Sequence, residues 1–246
     1  MVAKPGFGNL LATLARWVVV WSLFASAGVV MVVAAPFASP RKLYPFLSWM
    51  FRRMVRAAGI RMTIVGRERL TPGAGYVYMI HHASVLDHFV LAASVPGYIV
   101  GLEKESNFRV PIYGWITRWW GNIPIVREDR EKALAAIDVA KAKIRDGISV
   151  GIAPEGTRQA GGVLAPFKKG GFHMARDTGA PIVAVAMIGM IDRNPDKKFR
   201  LVGGPITVEF HSPIPSADGT LDELVERVRE RLQASGFTVP QRPVSP

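Results

Sequence analysis

The first 61 positions contain no acidic residue, and an uncharged apolar run over residues 17–38 lies among their eight basic ones. The run divides the chain into two physical parts. One suits hydrocarbon and anionic headgroups; the other, from about Met62 onward, reads as a soluble α/β domain. A stretch of 22 residues is long enough to cross about 30 Å of hydrocarbon. It also fits a segment that enters one leaflet and returns, ended by Pro36 and Pro40, or a signal peptide cleaved near residues 25–27 or 34–35. Residues 44–60 argue for retention. Leu47, Met50, Phe51, Met54 and Val55 form an apolar side and Arg52, Arg53 and Arg56 a basic one, a pattern that suits the membrane interface. The expected organisation is a two-helix membrane anchor over residues 1–61, a single domain over 62–239, and a disordered tail over 240–246. Positive charge downstream of a spanning run places the domain on the cytoplasmic side of the cell membrane, with Lys4 and Arg16 pulling the other way.

The chain carries 31 basic and 19 acidic residues, net +12; beyond residue 61 the excess is only +4. Charge concentrated beside an apolar run gains about 1 kcal/mol per Lys or Arg from anionic lipid. Nucleic acid, the other usual partner of a basic chain, ranks lower, because Trp, Phe and Val interrupt the basic stretch and no nucleic-acid motif is present. With no cysteine, disulfides, cysteine nucleophiles and thiolate metal sites are excluded.

Seven short apolar runs read as strands: residues 62–65, 76–80, 98–102, 123–126, 148–153, 182–188 and 206–210. Residues 129–146 are helical by composition and stop at Gly147. Strand, helix and strand at this spacing make a βαβ unit with parallel strands. Thr220 and Glu223 form a capping box, after which Leu221, Leu224, Val225, Val228 and Leu232 share one helical face.

The sharpest chemistry follows the strand at 76–80: His81, His82, Ser84, Asp87 and His88. Ser84 with Asp87 three residues on is a variant capping box, predicting a helix from Ser84. At such a turn the chain can fold back, so that the Asp87 carboxylate orients the His82 imidazole, and such a pair can deprotonate an alcohol. The alternative is an ordinary helix cap flanked by surface histidines. A metal site built from His81, His82, Asp87 and His88 lacks a recognised ligand spacing. A second constellation, Glu155-Gly156-Thr157-Arg158, follows the strand at 148–153, where α/β sheets gather ligands. Arg158 offers a planar fork for phosphate and Gly156 lets a ligand approach the backbone; an ordinary surface turn is the alternative. Pro166, Phe167, Lys168, Lys169, Gly170 and Gly171 add charge nearby in sequence, or form a solvated loop.

His82 and Asp87, with Ser84 between them, resemble the first motif of the glycerolipid acyltransferases, the 1-acylglycerol-3-phosphate acyltransferase family. Three further stretches agree in order. Lys104, Glu105, Pro111, Gly114, Gly121 and residues 123–127 resemble the second motif, Glu155-Gly156-Thr157-Arg158 matches the third, and Ala180-Pro181-Ile182-Val183 resembles the fourth. The resemblance covers residues 62–210. His81 stands where Asn or Lys is common, and Ala153 replaces a common Phe. The resemblance implies an α/β fold with a mixed, largely parallel sheet flanked by helices. It implies transfer of an acyl chain from coenzyme A or acyl carrier protein to a hydroxyl of a lysophospholipid, by default lysophosphatidate, with no metal or other cofactor. His82 is then the general base, Asp87 its orienting partner, and Arg158 the phosphate ligand helped by Arg127 and Lys104. Glu155, Gly156 and Thr157 belong to the acceptor site. An oxyanion stabiliser should face the carbonyl, and backbone N–H groups near the 82–84 turn are one candidate among groups that the sequence does not distinguish. Glycerol-3-phosphate, another lysolipid or a glycolipid remain open as acceptors.

Two other classes compete. Gly147, Ser149 and Gly151 fit a serine-hydrolase pattern, with His211 following, but Ser149 falls inside a strand where a nucleophile elbow needs a strand-to-helix turn. A non-enzymatic membrane adaptor would need no histidine–aspartate pair.

Overall fold

Strand β2 (Val77–Ile80) is apolar throughout and all four of its residues are buried, the pattern of a strand covered on both faces. It is the central strand in the computed structural model of this chain, which describes residues 7–126, 128–159, 162–195 and 199–239. The other strands are β1 (Ile60–Val65), β3 (Ile99–Lys104), β4 (Ile123–Ile125), β5 (Ser149–Ile152), β6 (Ile182–Ile188) and β7 (Gly204–Phe210), ordered β1-β7-β6-β2-β5-β3-β4. From β6 to β4 all neighbours are parallel; β7 runs antiparallel to β6 and carries β1 parallel to itself. Every expected strand is present, with ends displaced by at most two residues.

Helix α5 (Arg130–Arg145) starts where expected, its first N–H groups capped by the Asp129 carboxylate. It carries the chain from β4 over β3 to β5, a parallel βαβ crossover. The capping box at the head of α8 (Leu221–Ala234) has both reciprocal bonds, Thr220 N–H to Glu223 Oε2 at 2.6 Å and Glu223 N–H to Thr220 Oγ1 at 3.2 Å.

Alternation along the strands assigns the two layers. A Cβ on Gly151 would lie 2.9 Å from Leu91 in α3 (Asp87–Ser94), whereas the next residue, Ile152, packs on Gly171 in α6 (Gly170–Thr178). Helix α2 (Pro40–Ala57) packs on α3, α1 (Phe7–Ala34) packs on α2, and α4 (Tyr113–Trp120) lies beside them. On the other face α5 and α8 flank α6.

The apolar side of α2 corrects an expectation. Leu47, Met50, Phe51, Met54 and Val55 are all buried in the common core, not turned to lipid. Each such side chain stabilises the fold by about 1.5–3 kcal/mol, so the periodicity of α2 was satisfied by protein. Arg41, Phe46, Trp49, Arg53 and Arg56 face outward instead. Helix α1 is long and apolar enough to cross a bilayer, by length and composition. It lies along the domain, with Val20, Phe24, Ala27 and Met31 buried and Val18, Trp21, Val29 and Val33 exposed. Arg16 Nη1 and Trp17 Nε1 bind the carbonyls of Leu201 and Phe199 at 2.7 and 2.6 Å.

Candidate active site

Strands β2 and β5 are parallel neighbours, so the segments that follow them emerge side by side at one edge of the sheet. After β2 the chain turns through His81 and His82 before α3. The helix begins at Asp87 rather than at Ser84. Ser84 does not cap it, because its Oγ donates to Asn194 Oδ1 at 3.1 Å and accepts the Leu86 N–H at 3.1 Å. The Asp87 carboxylate still reaches back. Its Oδ2 accepts from His82 Nδ1 at 2.6 Å, Ala83 N–H at 2.8 Å and Ser84 N–H at 2.9 Å. Asp87 is fully buried and the His82 ring is 14% exposed. Holding Nδ1 as the donor fixes the neutral tautomer, so Nε2 carries the lone pair left for a substrate.

The backbone donors of this turn, one candidate for stabilising an oxyanion, are already engaged. His82 N–H goes to Glu155 Oε2 at 3.0 Å, while those of Ala83 and Ser84 go to Asp87. None of the three is left to face a carbonyl oxygen.

Glu155 is likewise not an open acceptor-site carboxylate. It is 5% exposed and surrounded by donors. Beyond His82 N–H, its Oε1 accepts from His81 Nδ1 at 3.0 Å and Ala165 N–H at 3.1 Å. Gln159 N–H donates to the His82 carbonyl at 2.7 Å, so the turns after β2 and β5 are laced together by both side chain and backbone. Gly156 takes a positive φ of 75° in the second turn. The Lys168 side chain lies against it, and Lys168 N–H donates to Pro154 O at 2.8 Å. Thr157 and Arg158 are exposed on this turn.

The His82 ring lines a cavity of about 480 Å³, within the range of small-molecule sites. Its wall is largely apolar, from Phe24, Met31, Phe51, Leu102, Ile116, Trp120 and Ile137, and its polar groups include His82, His88, Glu103, Arg130 and Lys168. His88 is exposed to the cavity. Desolvation lowers its pKa, opposed by Glu103 and reinforced by His82, with Arg158 acting in the same direction. The two rings meet edge to face at 5.9 Å. Glu103 is buried and accepts from Tyr113 OH, Thr117 Oγ1 at 2.8 Å, Asn107 Nδ2 at 2.9 Å and Asn122 Nδ2 at 3.3 Å.

Among the expected site residues, His82 and Gly156 line the cavity, while Asp87 and Glu155 stand behind His82. Arg158 and Thr157 sit on the adjoining turn, and Lys104 is exposed at the end of β3 on the same sheet edge, none of the three lining the cavity. Arg127 and the tail over 240–246 lie outside the described residues. In the sequence Lys168 is legible only as loop charge. Glu103 and Asn194 carried no local signal, since their partners come from elsewhere in the chain. Ser149 is at the opposite end of β5 from His82, buried, donating to Ala74 O and accepting from Tyr76 N–H, both at 3.2 Å, a structural role rather than a nucleophile's. His211 pairs with Ser235 Oγ at 2.9 Å.

Known proteins resemble this chain in sequence and in fold. A family model described as Acyltransferase matches residues 61–188. A 1-acyl-sn-glycerol-3-phosphate acyltransferase of Chlamydomonas reinhardtii is 30% identical over 224 residues, covering 87% of this chain and 67% of its own. The chloroplastic enzyme BAT2 of Brassica napus, of the same description, is 29% identical over 213 residues, covering 83% and 62%. The human alpha form is 30% identical over 182 residues, covering 74% and 64%. The chain thus spans roughly two thirds of the length of these relatives. In fold it resembles the crystal structure of the 1-acyl-sn-glycerophosphate (LPA) acyltransferase PlsC from Thermotoga maritima, with a TM-score of 0.82 at 20% identity over 92% of this chain and 94% of that one.

Proposed function

Because the chain belongs to the acyltransferase family, we propose that it moves a fatty acyl group from a thioester to the free hydroxyl of lysophosphatidate. The observation that carries this reading is the His82–Asp87 pair at 2.6 Å, with the imidazole at the wall of a largely apolar cavity. His82 Nε2 takes the proton of the acceptor hydroxyl as its oxygen attacks the thioester carbon. The tetrahedral intermediate then collapses, the C–S bond breaks, and the departing thiolate takes the proton back from the imidazolium. Asp87 keeps the ring oriented and favours its charged form while the proton is there. No acyl-enzyme is formed and no metal enters the scheme.

The apolar cavity suits an acyl chain, and the cationic groups near its polar end suit a phosphate. Arg158 and Lys168 are the assigned phosphate ligands, with Arg127 and Lys104 as further candidates. With the 82–84 N–H groups engaged, stabilisation of the developing oxyanion falls to positive charge at the cavity rim, Lys168 first. Glu155 acts by holding His82 in place.

The substrate tail would enter from lipid. The outward apolar face of α1 is the surface assigned to the membrane, with the helix half-immersed along the domain rather than standing apart as a spanning rod. Trp17, Trp21, Phe24 and Met31 of α1 line the cavity, so its removal as a signal peptide would open the site. Residues 1–61 and 62–239 are read as anchor and catalytic parts of one unit at the cytoplasmic face of the membrane, where thioester donors are supplied.

The test is thiol release and ester formation with purified protein, offering lysophosphatidate, glycerol-3-phosphate and a zwitterionic lysolipid against both coenzyme A and carrier-protein donors. Turnover confined to lysophosphatidate is expected. Ester formation with glycerol-3-phosphate or the zwitterionic lysolipid but not with lysophosphatidate would overturn the assignment.

A further inference from the structure

Among the described residues, Ile112 is the one non-glycine residue with positive φ, at 64°. With ψ of −56° and the Tyr113 N–H bonded to Pro111 O at 2.7 Å, it is the centre of a γ-turn, a strained conformation that a β-branched residue avoids. The strain does not serve the core, since the side chain is 73% exposed. Val110 beside it and Trp115, one turn into α4, are 48% and 41% exposed. The cations Lys104, Arg109 and Arg118 of the same stretch are exposed; of its acids, Glu105 is held by Arg109 at 2.9 Å and Glu103 is buried beneath α4.

The inward side of α4 rests on α1. Tyr113 stacks on Phe24 with centroids 6.0 Å apart, and Ile116 fits against Gly28, where a Cβ would meet it at 3.1 Å. Helix α4 is thus a direct neighbour of α1, which carries its own exposed apolar face formed by Val18, Trp21, Val29 and Val33.

We propose that Ile112 and Trp115 form a second lipid contact, beside α1, with Lys104, Arg109 and Arg118 meeting anionic headgroups. The proposal rests on the reading of α1 as lipid-facing. An aliphatic tip, a tryptophan and a cationic rim are the composition of an interfacial anchor. An acidic carrier protein would use the cations but gives no reason to expose an isoleucine on a strained turn. Lipid contact at this point would press α4, whose Tyr113, Ile116, Thr117 and Trp120 line the cavity, against the source of the acceptor.

The chain has no cysteine, so a single reporter thiol can be placed anywhere. The full-length variants Ile112→Cys, Val29→Cys and Asp138→Cys, each carrying an environment-sensitive fluorophore, are mixed with phosphatidylcholine vesicles with and without phosphatidylglycerol, doped with a spin-labelled quencher lipid. Quenching at positions 112 and 29, stronger with phosphatidylglycerol, and none at 138 is the expected result. Quenching at 29 without quenching at 112 overturns this proposal and leaves the α1 reading intact. No quenching at either overturns the α1 reading and this one with it. A response at 112 to acyl carrier protein but not to vesicles assigns the patch to the donor instead. In parallel, Ile112→Gly should bind vesicles roughly tenfold more weakly while melting in detergent at an equal or higher temperature, since glycine relieves the turn. Unchanged vesicle affinity, or a lowered melting temperature with it, would mark a purely structural residue.

Discussion

The Glu155 carboxylate holds the backbone of His82: Oε2 accepts the His82 N–H at 3.0 Å, while Oε1 binds His81 and Ala165. The two turns carrying the chemistry, 73 positions apart in sequence, are thereby locked into one unit. Asp87 orients the ring of His82, and Glu155 orients the chain that bears it.

That arrangement makes Glu155 a positioning residue. Glu155→Ala would leave one buried and two partly buried donors without an acceptor and should destabilise the fold by about 2 kcal/mol or more. Glu155→Gln keeps the shape but weakens the charge-assisted bonds, costing about 1–3 kcal/mol, and should lower kcat more than it raises the acceptor KM. Denaturant titration together with steady-state kinetics checks both. A stable, fully active Glu155→Ala variant would remove the lock from the account.

His82→Ala and Asp87→Asn should each lower kcat by about 10²–10⁴. Single-turnover acyl transfer, with circular dichroism to confirm folding, is the measurement. Near-normal turnover in either variant would mean that the base lies elsewhere.

Arg158→Ala and Lys168→Ala should separate phosphate binding from proton transfer. For Arg158→Ala the acceptor KM should rise at least about tenfold, the loss of one charge-assisted contact, with a smaller change in kcat. Lys168→Ala should lower kcat as well if its charge also serves the oxyanion. Equal KM values for wild type and Arg158→Ala would exclude the guanidinium from the acceptor site.

Filling the cavity should select among donors. Ile137 is buried on α5 and lines the cavity wall, so Ile137→Trp is expected to shift preference toward shorter acyl chains while short-chain turnover is retained. Competition between long and short thioesters in one reaction reads this directly. A uniform loss across chain lengths would point to misfolding rather than to a filled acyl site.

Stability should fall on the acid side of neutrality. Desolvation lowers the pKa of His88, whose ring is exposed to the cavity, and of the buried His211 below the ordinary 6.5, so below that value the unfolded chain binds more protons than the folded one. The contribution of these neutral rings is present above pH 6.5 and diminishes as pH falls toward their folded values. Thermal melts over this interval should show a shallower acid loss for His211→Gln than for wild type; parallel curves would show that His211 is not a source of it.

Much of this molecule was legible before its shape was known. The strands announce themselves as short apolar runs because a sheet covered on both faces needs no polar alternation, and α5 and α8 show their caps because helix ends must satisfy their own N–H groups locally. The spacing of His82 and Asp87 offers the pair and an ordinary helix cap as equal readings, and only the path of the strand-to-helix turn, which brings the two side chains to 2.6 Å, separates them. Periodicity on α2 likewise established that one side must be covered but could not tell lipid from protein, and the fold chose protein. The work of Glu155, Glu103 and Asn194, the engagement of the 82–84 N–H groups, and the arrival of Lys168 beside Gly156 were decided only in three dimensions. Each depends on which distant donors and acceptors the sheet order brings within about 3 Å, and hydrogen bonds at that range are set by topology rather than by neighbours in the chain.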